Sequence, residues 1–294
     1  MEAISPAPTA TVPSGYPLKP RQEYTRRHRS FPPQHAGAKL RLALWDFVES
    51  AIAAFSVQGD RPVYDREQFP WVTKIEANWT KVRAELDNVM THRDAMPSFQ
   101  EIMKEVSTIQ QDDQWKTFFL RGVGMDCAEN GRRCPETMKL LETIPGCTTG
   151  FFSILSPHKH IPAHRGPWAG VLRLHLGLLV PEPRHQCRIR IADQVHAWEE
   201  GKAIIFDDTY NHEVWNDTEG YRVVLFVDFL RPLRWPLSVL NKWIMNLAVL
   251  APFLREAKGK QQASEKRFWE KFGKLSPVRE RKVARSNSLR FARF

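Results

Sequence analysis

The chain has 294 residues and only four cysteines, Cys127, Cys134, Cys147 and Cys187, with no CxxC pair among them. That leaves no dithiol redox motif and no disulfide framework, and reads as free thiols in a reducing compartment. The first twenty residues are rich in Pro and Ala and lack the apolar stretch of a secretory signal, so an intracellular protein is expected. No helix-turn-helix, zinc-finger or RNA-recognition pattern accompanies the formal net charge of +10. The charge therefore points to an anionic surface of some kind, nucleic acid or membrane, without a sequence-specific nucleic-acid partner. Long uninterrupted apolar runs are also missing. The most apolar stretch, Pro236 to Leu254, is short for a bilayer span and is broken by Asn241, Lys242 and Asn246. It reads as an interfacial or core helix, with a membrane span as the alternative.

What is present is a core. Residues of hydrophobic type make up 42% of the chain, which is enough to fold, and the ten tryptophans suit aromatic packing in a β-rich body. Residues 1–38 carry many prolines and little apolar periodicity and read as a disordered tail. Residues 39–61 form an amphipathic helix and linker, with Leu40, Leu44, Phe47, Ile52 and Phe55 at near-helical spacing. Trp71, Ile75, Trp79, Val82, Leu86 and Val89 predict one strong helix, Ser98 to Val106 a second, and Cys134 to Ile144 a third started after Pro135. Residues 62–235 form the main domain, with its core at 148–230. Residues 236–294 hold the apolar helix, a charged helix and a basic tail. The basic clusters at Arg21 to Arg29 and Arg279 to Arg293 both lie outside the expected core.

From Trp115 the texture becomes strand-like. Val171 to Val180, Cys187 to Ile191, Ala203 to Phe206 and Tyr221 to Phe229 are rich in Val, Ile, Leu and Phe, and turn residues separate them. The expected fold is mostly β with flanking helices, and many short strands with such breaks suggest a sandwich or jelly roll. The turn WEEGK, at 198–202, needs Gly201 for a positive φ and is given no chemistry. Trp215 is expected to pack under the loop of His212. Lys159 and His160 are expected on a surface loop, and His158, His185 and His196 at the surface.

Two histidines and an arginine stand in a fixed order along these strands. His164 lies in PAHRGP, His212 in FDDTYNHEVW and Arg222 in YRVVLFVDF. Both histidines adjoin turn residues at strand ends, where a barrel has its mouth, and neutral imidazole is a good ligand for iron, zinc or copper. Arg222 interrupts an apolar strand, and a buried guanidinium needs an anionic partner, which its fork can grip bidentately. In VLRLHLGL, Arg173 and His175 share one face of a strand, directed into the cavity. Asp207 and Asp208 precede His212 and serve either as caps of its loop or as carboxylate ligands.

This array resembles the aspartyl/asparaginyl β-hydroxylases, a family of iron(II)- and 2-oxoglutarate-dependent oxygenases, and the resemblance implies a core that is a double-stranded β-helix of the jelly-roll, cupin-like kind. The likeness is specific over the C-terminal half of the domain and extends more weakly to about Pro62. In the wider superfamily an acid stands two residues after the first histidine. Here Gly166 takes that place, as it does in this family. The resemblance implies that His164 and His212 hold Fe(II) and that Arg222, with Ser153, holds the distal carboxylate of 2-oxoglutarate. It also places Arg173 and His175 against 2-oxoglutarate near its metal-binding end, or against an acid group of the substrate. O2 is the third reactant.

The function expected is hydroxylation of an unactivated C–H, with the β-carbon of Asp or Asn in a peptide or protein first. An acyl chain of lipid A or an aminolipid at the membrane is the alternative. A catalytically silent metal-binding barrel is a third reading. The two apolar helices flanked by cationic residues favour a peripheral contact with an anionic membrane. The expected location is the cytoplasm, with the inner face of the membrane as the place of contact.

Overall fold

A computed structural model describes residues 36–272, and their side chains from residue 43 onward. The tail expected over residues 1–38 lies, up to residue 35, outside the described residues, as does the basic cluster at Arg279 to Arg293. In chain order the elements are α1 (Ala36–Ala54), β1 (Val63–Tyr64), α2 (Val72–Ala77), α3 (Trp79–Met90), α4 (Phe99–Ile102) and β2 (Trp115–Arg121). Then follow α5 (Ala128–Arg133), α6 (Pro135–Thr143), β3 (Cys147–Leu155), β4 (Lys159–His164), β5 (Val171–Leu179) and β6 (Cys187–Ile191). The chain continues through β7 (Gln194–Ala197), β8 (Ala203–Phe206), β9 (His212–Asn216), β10 (Arg222–Leu230), α7 (Leu237–Ala248) and α8 (Pro252–Phe272).

The strands form two antiparallel sheets, ordered β1-β8-β5-β10-β3-β2 and β4-β9-β6-β7. From β3 to β10 the chain crosses between them in the jelly-roll manner, so the expected double-stranded β-helix is the fold. Period-two alternation gives the larger sheet two working faces. Leu172, Leu174, Leu176 and Leu178 of β5, with Val223, Leu225, Val227 and Phe229 of β10, face the helices in one core cluster. Val224 and Phe226 of β10 face the smaller sheet, where Ile189, Ile191 and Val214 meet them.

The helices differ from expectation in three places. The helix read through Trp71 to Val89 is two, α2 and α3, because Asn78 leaves helical geometry at φ −108° and ψ 10°. The segment Ser98 to Val106 holds only the single turn of α4 and a 3-10 helix at Lys104–Thr108. At the start of α6, Pro135 removes one orphan N–H and the buried Glu85 carboxylate accepts from the N–H groups of Glu136 (2.7 Å) and Thr137 (2.9 Å). The stretch Pro236 to Leu254 breaks after Ala248, and α7 and α8 meet at 58°. Among the described residues no single helix is long and apolar enough to cross a membrane. Far along α8, Phe268 and Trp269 return to the main core cluster.

Two helices carry large apolar side chains on their outward side. On α1, Leu44 and Phe47 are exposed while Glu49 and Ile52 are buried. On α7, Val239, Leu240, Trp243 and Leu247 are exposed while Asn241 is buried. Trp243 keeps 64% of its surface and Phe47 70%. Helices that complete a core do the reverse.

Candidate active site

His164 ends β4 and His212 begins β9, and the two are directly paired across the antiparallel ladder. A register shift between Ile161 and His164 brings them opposite each other. Their ring centroids stand 4.1 Å apart. His164 Nδ1 lies 2.7 Å from the carbonyl of Pro162, and His212 Nδ1 lies 3.0 Å from that of Tyr210. A carbonyl only accepts, so each Nδ1 carries the proton and each Nε2 keeps its lone pair. Burial pushes the His212 imidazole well below its usual value and that of His164 down to about 4, with Arg173 acting in the same direction on both. Both rings are therefore neutral at physiological pH, the form that ligates a metal.

Gly166 stands two residues beyond His164, and its N–H donates to the carbonyl of Asp208 at 2.6 Å. A Cβ at Gly166 would overlap the Asp208 carboxylate. Asp208 is fully buried, 2.8 Å from Arg173, and burial raises its carboxyl to about 7 despite that arginine. Asp207 is committed elsewhere, accepting from Thr209 N–H and Oγ1 and from Arg231. Among the described residues no group of three His, Cys, Asp or Glu side chains is placed to hold a metal ion. The protein thus offers a pair of imidazoles.

Behind this pair lies the inward face of β10 and β5. Arg173 makes a fork with Asp228, at 2.8 Å and 3.2 Å, across the ladder from it, and lies over the Phe226 ring at 4.1 Å. Arg222 shares that face but has no acid opposite. It is 1% exposed, and its Nε and Nη1 are buried without a hydrogen-bond partner. Burial lowers its guanidinium to about 10, against which only Cys187 acts. His175 is likewise buried with neither ring nitrogen bonded, and burial followed by Arg222 and Arg173 keeps it neutral. Ser153, opposite Val224 on the neighbouring strand β3, lies on this same face, and its Oγ accepts from Trp115 Nε1 at 2.9 Å. All six residues singled out in the sequence thus lie around the inner face and mouth of the roll. The expectation for Arg173 changes in one respect: two carboxylates already engage it, so it organises the site as much as it faces a ligand.

Other expectations are corrected by strand parity. Trp215 does not pack beneath His212. It lies on the opposite face of β9, stacked on His160 at 5.5 Å and covered by Arg188 at 5.2 Å. Lys159 and His160 belong to β4 rather than to a loop, paired with Asp112 and Glu213 respectively. His196 is half-buried, while His158 and His185 are exposed as expected. Gly201 has φ +75°, as its turn requires.

Sequence reading missed three participants. Asp228 falls at the same parity as Arg222, and an acid in an apolar strand was its signal. Trp198 is fully buried at the end of β7, with Arg222 4.5 Å above its ring. Glu49 of α1 accepts from Arg165, the residue after His164, at 2.6 Å, and no local pattern announces so distant a pair.

The chain matches the aspartyl/asparaginyl β-hydroxylase family over residues 76–232. It is 47% identical over 228 residues to an ornithine lipid ester-linked acyl 2-hydroxylase of Rhizobium tropici, covering 78% of this chain and 81% of that protein. It is 35% identical over 166 residues to the human aspartyl/asparaginyl β-hydroxylase, covering 55% of this chain and 21% of the human one. A solved structure of a Pseudomonas putida prolyl-4-hydroxylase aligns with 55% of this chain at 19% identity and a TM-score of 0.37. Two inward jelly-roll faces, a cross-strand histidine pair and a family match spanning both meet in one conclusion: the chain belongs to the aspartyl/asparaginyl β-hydroxylase family and is a hydroxylase.

Proposed function

We propose that this hydroxylase uses Fe(II), 2-oxoglutarate and O2 to hydroxylate the acyl chain of an amino-acid-containing lipid at a membrane surface. The carrying observation is the placement of the outward apolar helices. Trp45 of α1 lies 5.2 Å from Trp168, whose Nε1 donates to Asn241 of α7 at 3.0 Å. Asn241 in turn donates to the Gly170 carbonyl at 2.7 Å, and Glu49 holds Arg165. Both helices thus brace the loop that leaves His164, and between them they keep Leu44, Phe47, Val239, Leu240, Trp243 and Leu247 exposed. The likeness to the R. tropici lipid hydroxylase supports the same substrate class.

The site residues fit the group the family implies. His164 and His212 would hold iron through Nε2, leaving its other positions to oxygen donors. Arg222, with its orphaned N–H groups, fits the distal carboxylate of 2-oxoglutarate, and Ser153 lies on the same inner face. His175, buried with neither ring nitrogen bonded, would donate to an oxygen of the co-substrate. Bound iron supplies activation of O2 for insertion of one oxygen atom into a C–H, with 2-oxoglutarate leaving as succinate and carbon dioxide. The chain's own part is to orient both molecules and exclude water, and the apolar inner cluster of Phe151, Phe206 and Phe226 serves the exclusion.

Hydroxylation of the β-carbon of Asp or Asn in a peptide is the second reading, supported by the likeness to the human enzyme. Location at the inner face of the membrane belongs to the same proposal. Purified protein with Fe(II), 2-oxoglutarate and O2 is offered vesicles containing ornithine lipid, or Asp- and Asn-bearing peptides. The lipid is expected to gain one oxygen atom by mass. Oxygen gain in the peptide alone would replace the lipid by the second reading.

A further inference from the structure

Trp198 is wholly buried in the cluster between the two sheets, yet its indole N–H has no hydrogen-bond partner. A buried tryptophan normally finds an acceptor, because an unpaired N–H away from water costs free energy comparable to a lost hydrogen bond. The orphan is not isolated. Arg222 lies over the same ring at 4.5 Å with two unpartnered nitrogens of its own, and His175 is 6.0 Å away with both ring nitrogens unpartnered. Five unmet polar atoms, Trp198 Nε1, Arg222 Nε and Nη1, and His175 Nδ1 and Nε2, thus gather inside one otherwise apolar cluster. An anionic oxygen is the ligand that satisfies guanidinium and indole donors together.

We propose that Trp198 is a binding residue for the co-substrate, its indole N–H donating to the carboxylate that Arg222 grips. This rests on the 2-oxoglutarate reading above. The ring has a second task, as the flat platform that holds the guanidinium in place by a cation–π contact. The two tasks separate in Trp198→Phe, which keeps an aromatic face for the guanidinium and removes the N–H donor.

The experiment is anaerobic calorimetry of 2-oxoglutarate, and of glutarate, binding to the Fe(II)-loaded protein and its variants. A buried hydrogen bond to a charged group is worth about a tenfold or larger change in affinity. Trp198→Phe is therefore expected to weaken 2-oxoglutarate about tenfold or more, and glutarate by the same factor, with iron affinity unchanged. An unchanged 2-oxoglutarate affinity overturns the proposal, and so does a loss seen with 2-oxoglutarate but not with glutarate. Arg222→Lys is the control for the parent reading. If it too leaves binding unchanged, the co-substrate assignment falls. If only Trp198→Phe is silent, the indole arm alone falls. Should Trp198→Phe fail to fold, the wild type labelled with 15N at its indoles and loaded with Zn(II) gives a second test. One indole N–H resonance is expected to move downfield and exchange more slowly on adding 2-oxoglutarate. A spectrum in which none moves overturns the proposal.

Discussion

The Asp208 carboxylate occupies the space that a side chain on Gly166 would need, and the Gly166 N–H donates to the Asp208 carbonyl at 2.6 Å. The glycine two residues after His164 is therefore a steric requirement of this chain. Gly166→Ala must push Asp208 away from Arg173, and overpacking of this kind costs about 1–3 kcal/mol. The cost is expected to shrink when Asp208 is also replaced by Ala. Urea midpoints of the two single variants and the double variant measure the coupling. Equal cost in both backgrounds would disprove the steric explanation.

His164→Ala and His212→Ala should each abolish tight binding of a divalent metal. His175→Asn should leave metal affinity unchanged and weaken 2-oxoglutarate instead. Equilibrium dialysis with Co(II) as the probe separates these roles. A metal affinity that survives the loss of His212 would remove that residue from the ligand set.

Arg222 sets function against stability. Its guanidinium is buried without a facing acid. Replacing even a buried ion pair by apolar groups of similar volume is often neutral or stabilising by about 1–4 kcal/mol, and Arg222 has no partner acid to strand. Arg222→Met is thus expected to raise the unfolding midpoint while abolishing 2-oxoglutarate binding. Arg222→Lys keeps the charge but not the fork, and should raise the apparent KM for 2-oxoglutarate at least about tenfold. A destabilised Arg222→Met that still binds co-substrate would contradict both parts.

The metal-free protein should lose stability in mild acid. Burial lowers His164 to about 4 and holds His212 and His175 well below the usual imidazole value. In the unfolded chain these imidazoles titrate near 6.5. Below that pH the unfolded state binds more protons than the folded one, so stability falls with pH from about 6.5 towards 4. Denaturant midpoints at pH 7.5 and 5.0 test this, and His175→Asn should flatten the slope. A midpoint independent of pH in the metal-free protein would refute the argument.

Trp243 and Leu247 on α7 are exposed, so Glu at both positions should leave the unfolding midpoint within about 0.5 kcal/mol. Flotation with anionic vesicles should nevertheless fall sharply, as an apolar face and basic charge together sustain peripheral binding. Unaltered flotation of this variant would take the membrane contact away from α7.

The sequence by itself narrowed the fold to a sandwich or jelly roll and set Arg173, His175 and Arg222 on inward strand faces. Period-two alternation is local, and a charged residue at one parity of an apolar strand declares its face without any knowledge of the partner strand. The same local character explains the errors. Asn78 broke a helix whose apolar spacing ran on through it, and four strands too short or too polar to stand out, β1, β4, β7 and β9, emerged only from pairing. What tertiary structure alone decided was how charges were shared. Arg173 and Arg222 look alike in sequence, but the register sets Asp228 against Arg173 and leaves Arg222 without an acid. It also left Leu44 and Phe47 of α1 and Trp243 and Leu247 of α7 outward, while Glu49 and Asn241 of the same helices turn inward to partners in the loop after His164, a pairing no local periodicity announces.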